Sequence, residues 1–433
     1  MKISLRKVGL LFILLENLYL PLKLGFDFRL TYVLYFLFIA AYPFFYRRVQ
    51  INTTVLQVLL VCVVALLGAS FFGGGGIVDG IRQLILIGFN MLFAYLLVSA
   101  YGYDVRELFK DYTDLIFVAS IVGIIQLVSQ IAGFKYGADY SYLGFDMQNF
   151  DMQLWVAQSW FQEPAYLATA FLPVAFAAIC RLMGITEIIS KGKAITILIV
   201  LILSQAATGL IGILLSIAII TARRYSFLRS PVLMVAAIVL IVATSWGFYS
   251  IPKIKKRVDD TGKLFFDEHV SASDIESVNA STYAIYSNFR IVRAAFMDSP
   301  FYGSGLGTYE SIYHTYVHRV MPPNRMTDSL ELNMRDANSL FLRLIAETGI
   351  LGLFLFFLFV ALNRIRDVNL KRLANDQLDF WIINSGVYVV IIVRFIRLGH
   401  YTMLGFVLML IIYYLSKRAY IQSRRNAIVP TVA

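Results

Sequence analysis

The chain has 433 residues, of which 59% are hydrophobic and only 15% are charged. Soluble globular proteins carry roughly a quarter of charged residues, so composition excludes a soluble domain and, with a mean hydropathy of +0.72, predicts a polytopic membrane protein. The formal net charge of +11 comes from small clusters of Lys and Arg between apolar runs. This pattern is typical of topology signals, and it argues against a nucleic-acid partner.

Twelve apolar runs are candidates for membrane-spanning helices, since about 17 to 25 residues cross the hydrocarbon core. The predicted fold is therefore all-α, with one long external loop that contains short helices. The runs are 8–22, 30–46, 53–72, 81–100, 114–133, 164–182, 194–206, 207–222, 231–250, 349–365, 380–395 and 401–416. One long tilted helix over 195–221 is the alternative to the seventh and eighth runs. Two short helices that meet at 204–209 explain the polar residues there better.

The distribution of Lys and Arg predicts the orientation. The connections on one side carry 21 of these residues, against 6 in the short connections on the other side. The positive-inside rule then places both termini in the cytoplasm. The predicted organisation is nine transmembrane helices in 1–250, an external loop over 251–348, three helices in 349–416 and a cytoplasmic tail over 417–433. The first run lacks a small-residue cleavage site, so it is predicted to stay as an uncleaved helix.

The external loop contains Arg290 and Arg293, which share one face of a predicted helix because they are three residues apart. Phe289, Val292 and Phe296 form an adjoining apolar stripe, so the helix is predicted to lie on the membrane surface. Arginine binds phosphate bidentately and keeps its charge. This arrangement suits a diphosphate, although contacts with lipid headgroups or with acidic loop residues explain the same spacing.

Glu163 lies directly before the sixth run, with Pro164 suited to the first turn of that helix. A carboxylate at the membrane border is a candidate base toward a sugar hydroxyl. An ordinary acidic residue favoured by the helix dipole is the alternative. Trp155 and Trp160, close by, either stack on sugars or belong to the interfacial aromatic belt.

Arg394, Arg397 and His400 close the eleventh run, and charged residues that border a span are costly unless they are paired or functional. His314 and His318 have the spacing of a helical zinc pair, but the motif lacks a glutamate and a third ligand. No Asp-x-Asp motif occurs either. We therefore expect no metal site.

Several patches in order resemble one known family. They are FQEPAYLATAFLP, LSQAATGLIGILL, SPFYGSGLGTY and ANSLFLRLIAETGILGLFLF. Together with the predicted helices, they are similar to the O-antigen polymerase and O-antigen ligase superfamily, the Wzy-like polysaccharide polymerases. The likeness covers most of the chain in layout, and it is specific over these patches alone.

The resemblance implies a metal- and nucleotide-independent glycosyltransferase of the C type in the bacterial inner membrane. It implies that no cofactor is used and that the partners are undecaprenyl diphosphate-linked glycans and membrane lipids. A chain-length regulator is a candidate further partner on which the sequence does not decide. Arg290 is the best match to the arginines that hold the diphosphate in that family, and with Glu163 it is the predicted catalytic pair. The predicted substrate or diphosphate contacts are Arg293, Arg335, Asn338, Arg394, Arg397 and His400.

The chain departs from the family at two places. Ala337 stands where ligases have a histidine, and Ala206 and Ala207 stand where many members have Ser-Arg. The missing histidine favours a polymerase over a ligase. A secondary transporter is the third possibility, but transporters commonly have internal repeats and bind substrate at mid-membrane. The chain shows neither a repeat nor, beyond Glu16, a buried charged pair in mid-helix.

Overall fold

The structure is a computed structural model. It describes residues 4–18, 29–46, 52–73, 76–147, 152, 155–224, 249, 252–266, 270–327, 331–366, 370 and 373–428. The described residues form helices joined by turns, and their one β-bridge pairs Leu18 with Phe145. The all-α prediction is confirmed for this part of the chain.

Sixteen α-helices are described, and we number them α1 to α16 in chain order. They are Leu5–Leu14, Leu30–Phe45, Thr53–Phe72, Ile77–Ala100, Val105–Ile131, Lys135–Ala138, Pro164–Leu182, Lys191–Leu203, Ala207–Arg224, Pro252–Phe266, Ala272–Ser277, Ala280–Asp298, Tyr309–Val320, Leu340–Asn363, Asn375–Ile396 and Phe406–Ile428.

Seven described helices are long and apolar enough to cross a membrane. These spans are Val78–Ala100, Val105–Ile131, Pro164–Leu182, Ala207–Arg224, Leu340–Asn363, Asn375–Ile396 and Met403–Asn426. They correspond to seven of the twelve predicted runs. The count of twelve stays a prediction, and most of the run at 231–250 lies outside the described residues.

Several predicted runs have different bounds in the structure, among them the runs at 8–22 and 114–133. Of the described residues 4–18, the α-helix covers Leu5–Leu14. Ten residues of α-helix are about 15 Å long, half the thickness of the hydrocarbon core. The run at 114–133 belongs to a longer helix that begins at Val105, because the side chain of Asp104 accepts from two backbone N–H groups and caps it.

The predicted break between the seventh and eighth runs is present. Helix α8 ends at Leu203 and α9 begins at Ala207. Gln205 has a left-handed backbone between them, with a φ of 49°. The chain therefore reverses direction at this point, as the polar residues indicate.

Helices α7, α15 and α16 are the most enclosed of the seven described spans, and α7 and α15 lie side by side. Helix α7 has a small-residue face, and an added Cβ on Gly386 of α15 would lie 2.6 Å from the backbone oxygen of Pro173 in α7. Small residues let two helices approach closely inside a membrane bundle. The carboxyl end of α15 and the amino end of α7 thus reach the same end of the bundle.

The described residues between 252 and 339, which we call the external segment after their predicted location, have a hydrophobic core built by α10 to α13 and completed by Leu342 and Ala346 of α14. The external segment packs on one end of the helical bundle, which we call the loop end; the opposite end is the basic end. The predicted boundary at 348/349 falls inside α14, at a kink where Gly349 has a φ of 61°. An added Cβ there would lie 2.4 Å from the backbone of Phe301, so the kink lets the external segment pack against the span.

Candidate functional site

Two irregular turns are joined at the loop end, one before α14 and one after α15. The backbone N–H of Leu398 donates to the carbonyl of Asn338 at 2.9 Å. An added Cβ on Gly399 would lie 1.6 Å from the backbone oxygen of Asp336, so the two backbones are in direct contact. Asn338 itself has a left-handed backbone, with a φ of 57°. Side chains far apart in sequence are thereby brought to one place.

Asp336 connects these two turns through its carboxylate. Its Oδ1 accepts from Asn333 Nδ2 at 2.8 Å and from the backbone N–H of Asn338 at 3.1 Å. Its Oδ2 lies 3.4 Å from Nε2 of His400. The Asp336 side chain is only 5% exposed, whereas that of His400 is 28% exposed. The histidine is therefore held by a buried carboxylate and is still partly open.

The protonation of His400 follows from this environment. The pKa of His400 falls from 6.5 to about 4, mainly through burial, and the guanidinium groups of Arg29, Arg343 and Arg394 contribute to this decrease. The carboxylate of Asp336 acts in the opposite direction. His400 is thus a neutral imidazole near neutral pH. Since the carboxylate favours the ring proton on Nε2, Nδ1 is left as a hydrogen-bond acceptor.

Glu163 lies at the amino end of α7 with Pro164 in the first turn, as predicted, but its side chain does not cap the helix. Within the described part of the chain, its carboxylate has no hydrogen bond or ion pair. Burial raises its pKa above the ordinary 4.5, and the charges of Asp336 and Asp146 add to that effect, while Arg397 lowers it. Glu163 therefore lies in the electrostatic neighbourhood of the two joined turns.

The segment that leads into α7 re-enters the bundle and fixes the position of its amino end. Gln126 of α5 accepts from the backbone N–H groups of Gln158 and Ser159 at 2.8 and 2.7 Å. The indole of Trp160 donates to the carbonyl of Leu14 at 2.9 Å. Trp160 is thus a buried structural residue, and neither of the roles predicted for it, sugar stacking or the aromatic belt, fits this position.

Arg394 and Arg397 have different surroundings. Arg394 is buried, and its Nη1 and Nη2 donate to the carbonyls of His400 and Met403, the first at 2.8 Å. These bonds hold the turn after α15, so they support a positioning role for Arg394. Arg397 is half-buried and donates to Ser281 Oγ at the start of α12 at 2.8 Å.

Glu347 is a second buried centre, and sequence reasoning did not single it out. It is fully buried and lies 3.0 Å from Arg343 Nε, with which it forms an ion pair. The hydroxyl of Tyr401 donates to it at 2.8 Å, and the backbone N–H groups of Gly307 and Tyr309 donate at 3.0 and 3.3 Å. This carboxylate thus ties α14, the turn after α15 and the glycine-rich turn together.

Helix α12 carries Arg290 and Arg293 on its outer side. Arg290 donates to Tyr286 Oη at 3.0 Å, and Arg293 is exposed. Neither forms an ion pair with any residue that the structure describes. The predicted apolar stripe is divided, because Val292 is 3% exposed in the core of the external segment while Phe289 is 40% exposed. The prediction that this stripe faces the membrane as a unit is wrong, since half of α12 packs on protein.

The other two predicted contacts flank Asp336. Arg335 is exposed and lies 3.8 Å from the carboxylate of Glu310. Asn338 is 7% exposed, and its amide nitrogen is buried with no hydrogen-bond partner. Asn338 therefore has an unused donor next to the Asp336–His400 pair.

The structure brings together Glu163, Asp336, Asn338, Arg397 and His400, which we call the loop-end cluster. These residues come from three separate stretches of the chain. It does not bring Arg290 into contact with Glu163. From the residue that Arg397 contacts, Arg290 is nine positions further along α12, or roughly 14 Å at 1.5 Å per residue.

Sequence reasoning missed Asp336, Arg343 and Glu347. The expectation that the helices hold no buried charged pair beyond Glu16 is wrong, because Arg343 and Glu347 are 3.0 Å apart and buried inside α14. Arg343 and Glu347 are four residues apart in an otherwise apolar helix, which is a readable signal for a helical ion pair. Asp336 had no comparable signal, because its partner lies in another turn.

A comparison with protein families gives a match to a model described as O-antigen ligase, over residues 193–357. The matched region runs from α8 into α14, so it includes Arg290, Asp336 and Glu347 and leaves out Glu163 and His400. A comparison with curated proteins gives no match.

Proposed function

We propose a reaction for this chain on the premise that it is a member of the O-antigen polymerase and ligase superfamily, which the match over residues 193–357 supports. The reaction is polymerisation of oligosaccharide repeat units linked to undecaprenyl diphosphate, on the outer side of the bacterial inner membrane. The product is O-antigen, capsule or exopolysaccharide. A chain-length regulator as a partner stays a prediction.

The observation that carries the proposal is the division of charge at the loop end. The loop-end cluster gathers a carboxylate with a raised pKa, a neutral histidine and an arginine at the start of the spans. Arg290 and Arg293 lie further out on α12 without carboxylate partners among the described residues. A lipid-linked diphosphate needs cations at the bilayer surface, and a sugar hydroxyl needs a base.

The proposed step is a substitution at the anomeric carbon of the growing glycan. The acceptor hydroxyl oxygen forms a bond to that carbon, and the bond from the carbon to the diphosphate oxygen breaks. The electron pair leaves with the diphosphate, whose charge Arg290 and Arg293 stabilise. Glu163 accepts the proton of the hydroxyl, and its raised pKa makes it a stronger base than an exposed glutamate.

A ligase-type transfer to a different acceptor is the second candidate, because the matching family model is described as O-antigen ligase. The residue at 337 favours the polymerase. Ala337 is fully buried where ligases are expected to have a histidine.

Deletion of the gene in the source bacterium tests the proposal. We expect single lipid-linked repeat units to accumulate and long polysaccharide to disappear. If long polymer persists on the lipid carrier but is no longer attached to its final acceptor, the ligase reading is correct. Normal polysaccharide with altered uptake of a solute would contradict both readings.

A further inference from the structure

The predicted substrate contacts at the loop end differ in charge. Arg290 and Arg293 are cations, Arg290 bonded to a tyrosine hydroxyl and neither one paired with a described carboxylate. His400, by contrast, lies 3.4 Å from the carboxylate of Asp336, a side chain that is 5% exposed. The two groups of residues therefore suit different parts of a lipid-linked substrate.

A diphosphate does not suit the Asp336–His400 pair. Two negative charges at short range repel each other, more strongly in a site that is shielded from water. The imidazole does not offset this repulsion, since burial keeps it neutral near neutral pH. A ligand at this pair is expected to be uncharged.

The arginines around His400 offset this repulsion only in part, because their guanidinium groups bind other partners. Arg29 lies 3.2 Å from the carboxylate of Glu16, and Arg343 is paired with Glu347 at 3.0 Å. Arg394 donates through Nη1 and Nη2 to two backbone carbonyls, and among the described residues its Nε is buried without a hydrogen-bond partner.

The hydrogen-bonding groups of the pair match a sugar. With the proton of His400 on Nε2, its Nδ1 can accept from a hydroxyl. The amide nitrogen of Asn338 is buried and lacks a partner, and Asn338 is 7% exposed. A buried donor without a partner is unfavourable, and a ligand oxygen would satisfy it. Acceptor and donor are held by the same carboxylate, since Asp336 also accepts from the Asn338 backbone at 3.1 Å.

We propose that Asp336, Asn338 and His400 form the subsite for the acceptor sugar, in which His400 and Asn338 hydrogen-bond hydroxyl groups of the neutral nonreducing end while Asp336 positions both. This assignment rests on the proposed glycosyl transfer. It narrows the prediction that His400 and Asn338 contact the substrate or its diphosphate. His400 lies in the turn after α15, close to Ala337. Position 337 is where ligases are expected to have a histidine.

The test separates the affinities for the two substrates. Purified full-length protein in lipid nanodiscs is given a labelled lipid-linked repeat unit as donor. The acceptor is a repeat-unit glycoside without a diphosphate, which can receive a glycan but cannot donate one. Initial rates are measured against the concentration of each substrate in turn. For His400→Gln we expect the acceptor KM to rise at least tenfold and the donor KM to change less than twofold.

Asn338→Gly is a second variant, which tests the proposal even if His400→Gln fails to fold. Glycine keeps the left-handed backbone at a φ of 57° and removes only the amide. We expect a rise of about threefold to tenfold in the acceptor KM, in line with the loss of one neutral hydrogen bond. The control is His314→Gln, an exposed histidine on α13 whose replacement should leave both constants unchanged.

A rise in the donor KM with an unchanged acceptor KM would overturn the proposal. It would indicate that His400 binds the diphosphate of the donor. Unchanged constants in both variants would also overturn it. Absence of any product with the wild-type protein would contradict the proposed function itself, which distinguishes that failure from a failure of the subsite.

Discussion

The two ends of the helical bundle use their cations differently. At the basic end, five Lys and Arg residues pair with carboxylates, four of them on a neighbouring helix and Arg181 on the turn that follows its own helix. The pairs are Arg6–Glu107, Lys7–Asp111, Arg106–Asp376, Arg181–Glu187 and Lys193–Asp114. At the loop end, Arg290 and Arg293 have no such partner among the described residues. Cations that are matched within the protein hold helices together, whereas unmatched ones are available to an anionic ligand.

The carboxylates at the two ends also differ in their exposure and in their ion pairs. At the basic end, Asp376 is exposed and lies 2.6 Å from Arg106. At the loop end, Glu163 is half-buried without an ion pair, and its pKa is raised by burial. Exposed ion pairs contribute little free energy, about 0 to 1 kcal/mol, so the pair of Arg106 with Asp376 adds little to stability. Chemistry is expected at the loop end.

The largest expected effect follows from Glu163→Gln. General-base catalysis contributes about 10² to 10⁴ in rate, so transfer should slow by that factor while the protein stays folded. The rate of glycan transfer by purified protein is the measurement. Glu187→Gln, which changes an exposed carboxylate at the basic end, is the matched control. Full activity of Glu163→Gln would remove Glu163 from the mechanism.

The pH dependence gives a second test of Glu163. A base must be deprotonated, and its raised pKa means that activity is lost as pH falls through a value above the ordinary 4.5. His400 should not produce this limb before a pH of about 4. The rate profile of the wild type should therefore show an acid limb above 4.5 that is absent from the residual activity of Glu163→Gln. If both proteins lose activity at the same acid pH, a group other than Glu163 causes that loss.

The next effect concerns the diphosphate. Arg290→Ala should lower the rate by about 10² to 10³, the usual cost of removing one group that stabilises developing negative charge. Arg319→Ala is a close control, because Arg319 lies 5.3 Å over the ring of Tyr316 much as Arg290 lies 5.8 Å over Tyr286. Polymer yield in cells and the amount of protein in the membrane are measured together. Equal yields for both variants would show that Arg290 does not act on the diphosphate. Arg290 would then be interpreted as a contact with lipid headgroups.

A smaller effect on the rate, but a large one on stability, is expected for Glu347→Ala. Removal of one partner from a buried ion pair costs about 3 to 5 kcal/mol, because Arg343 remains buried without its carboxylate. Unfolding in detergent should occur at a lower temperature or denaturant concentration than for the wild type. An unchanged midpoint would show that the glycine-rich turn is held by other contacts.

The smallest effect is expected at the basic end. Arg106→Gln breaks an exposed pair with Asp376, so stability should change by less than about 1 kcal/mol and transfer should be unchanged. Denaturant unfolding and the transfer assay check this together. A loss of activity comparable with that of Arg290→Ala would remove the distinction between the two ends.

The helices could be predicted from sequence where local rules determine them. The break between α8 and α9 follows from the polar residues at 204–209, and the start of α7 follows from Pro164. The length of α1 could not be predicted, because hydropathy continues past Leu14 while the chain turns there.

The site was harder to predict, since it depends on contacts between distant turns. Arg397 and His400 were named from their place beside a span, but the carboxylate that holds His400 comes from the turn before α14. Packing of Gly399 on the Asp336 backbone creates that contact, and no local pattern encodes it. The prediction that the whole α12 stripe faces the membrane failed for a similar reason. The core into which Val292 packs is built by other helices.

The most direct test of the central claim, that the loop end polymerises lipid-linked glycans, uses purified protein and lipid-linked repeat units alone. Product length is read by gel electrophoresis or mass spectrometry. We predict a ladder of products with the wild type and with Arg319→Ala, and only unreacted repeat units with Arg290→Ala. Failure of the wild-type protein to form any product longer than one repeat unit would contradict the account.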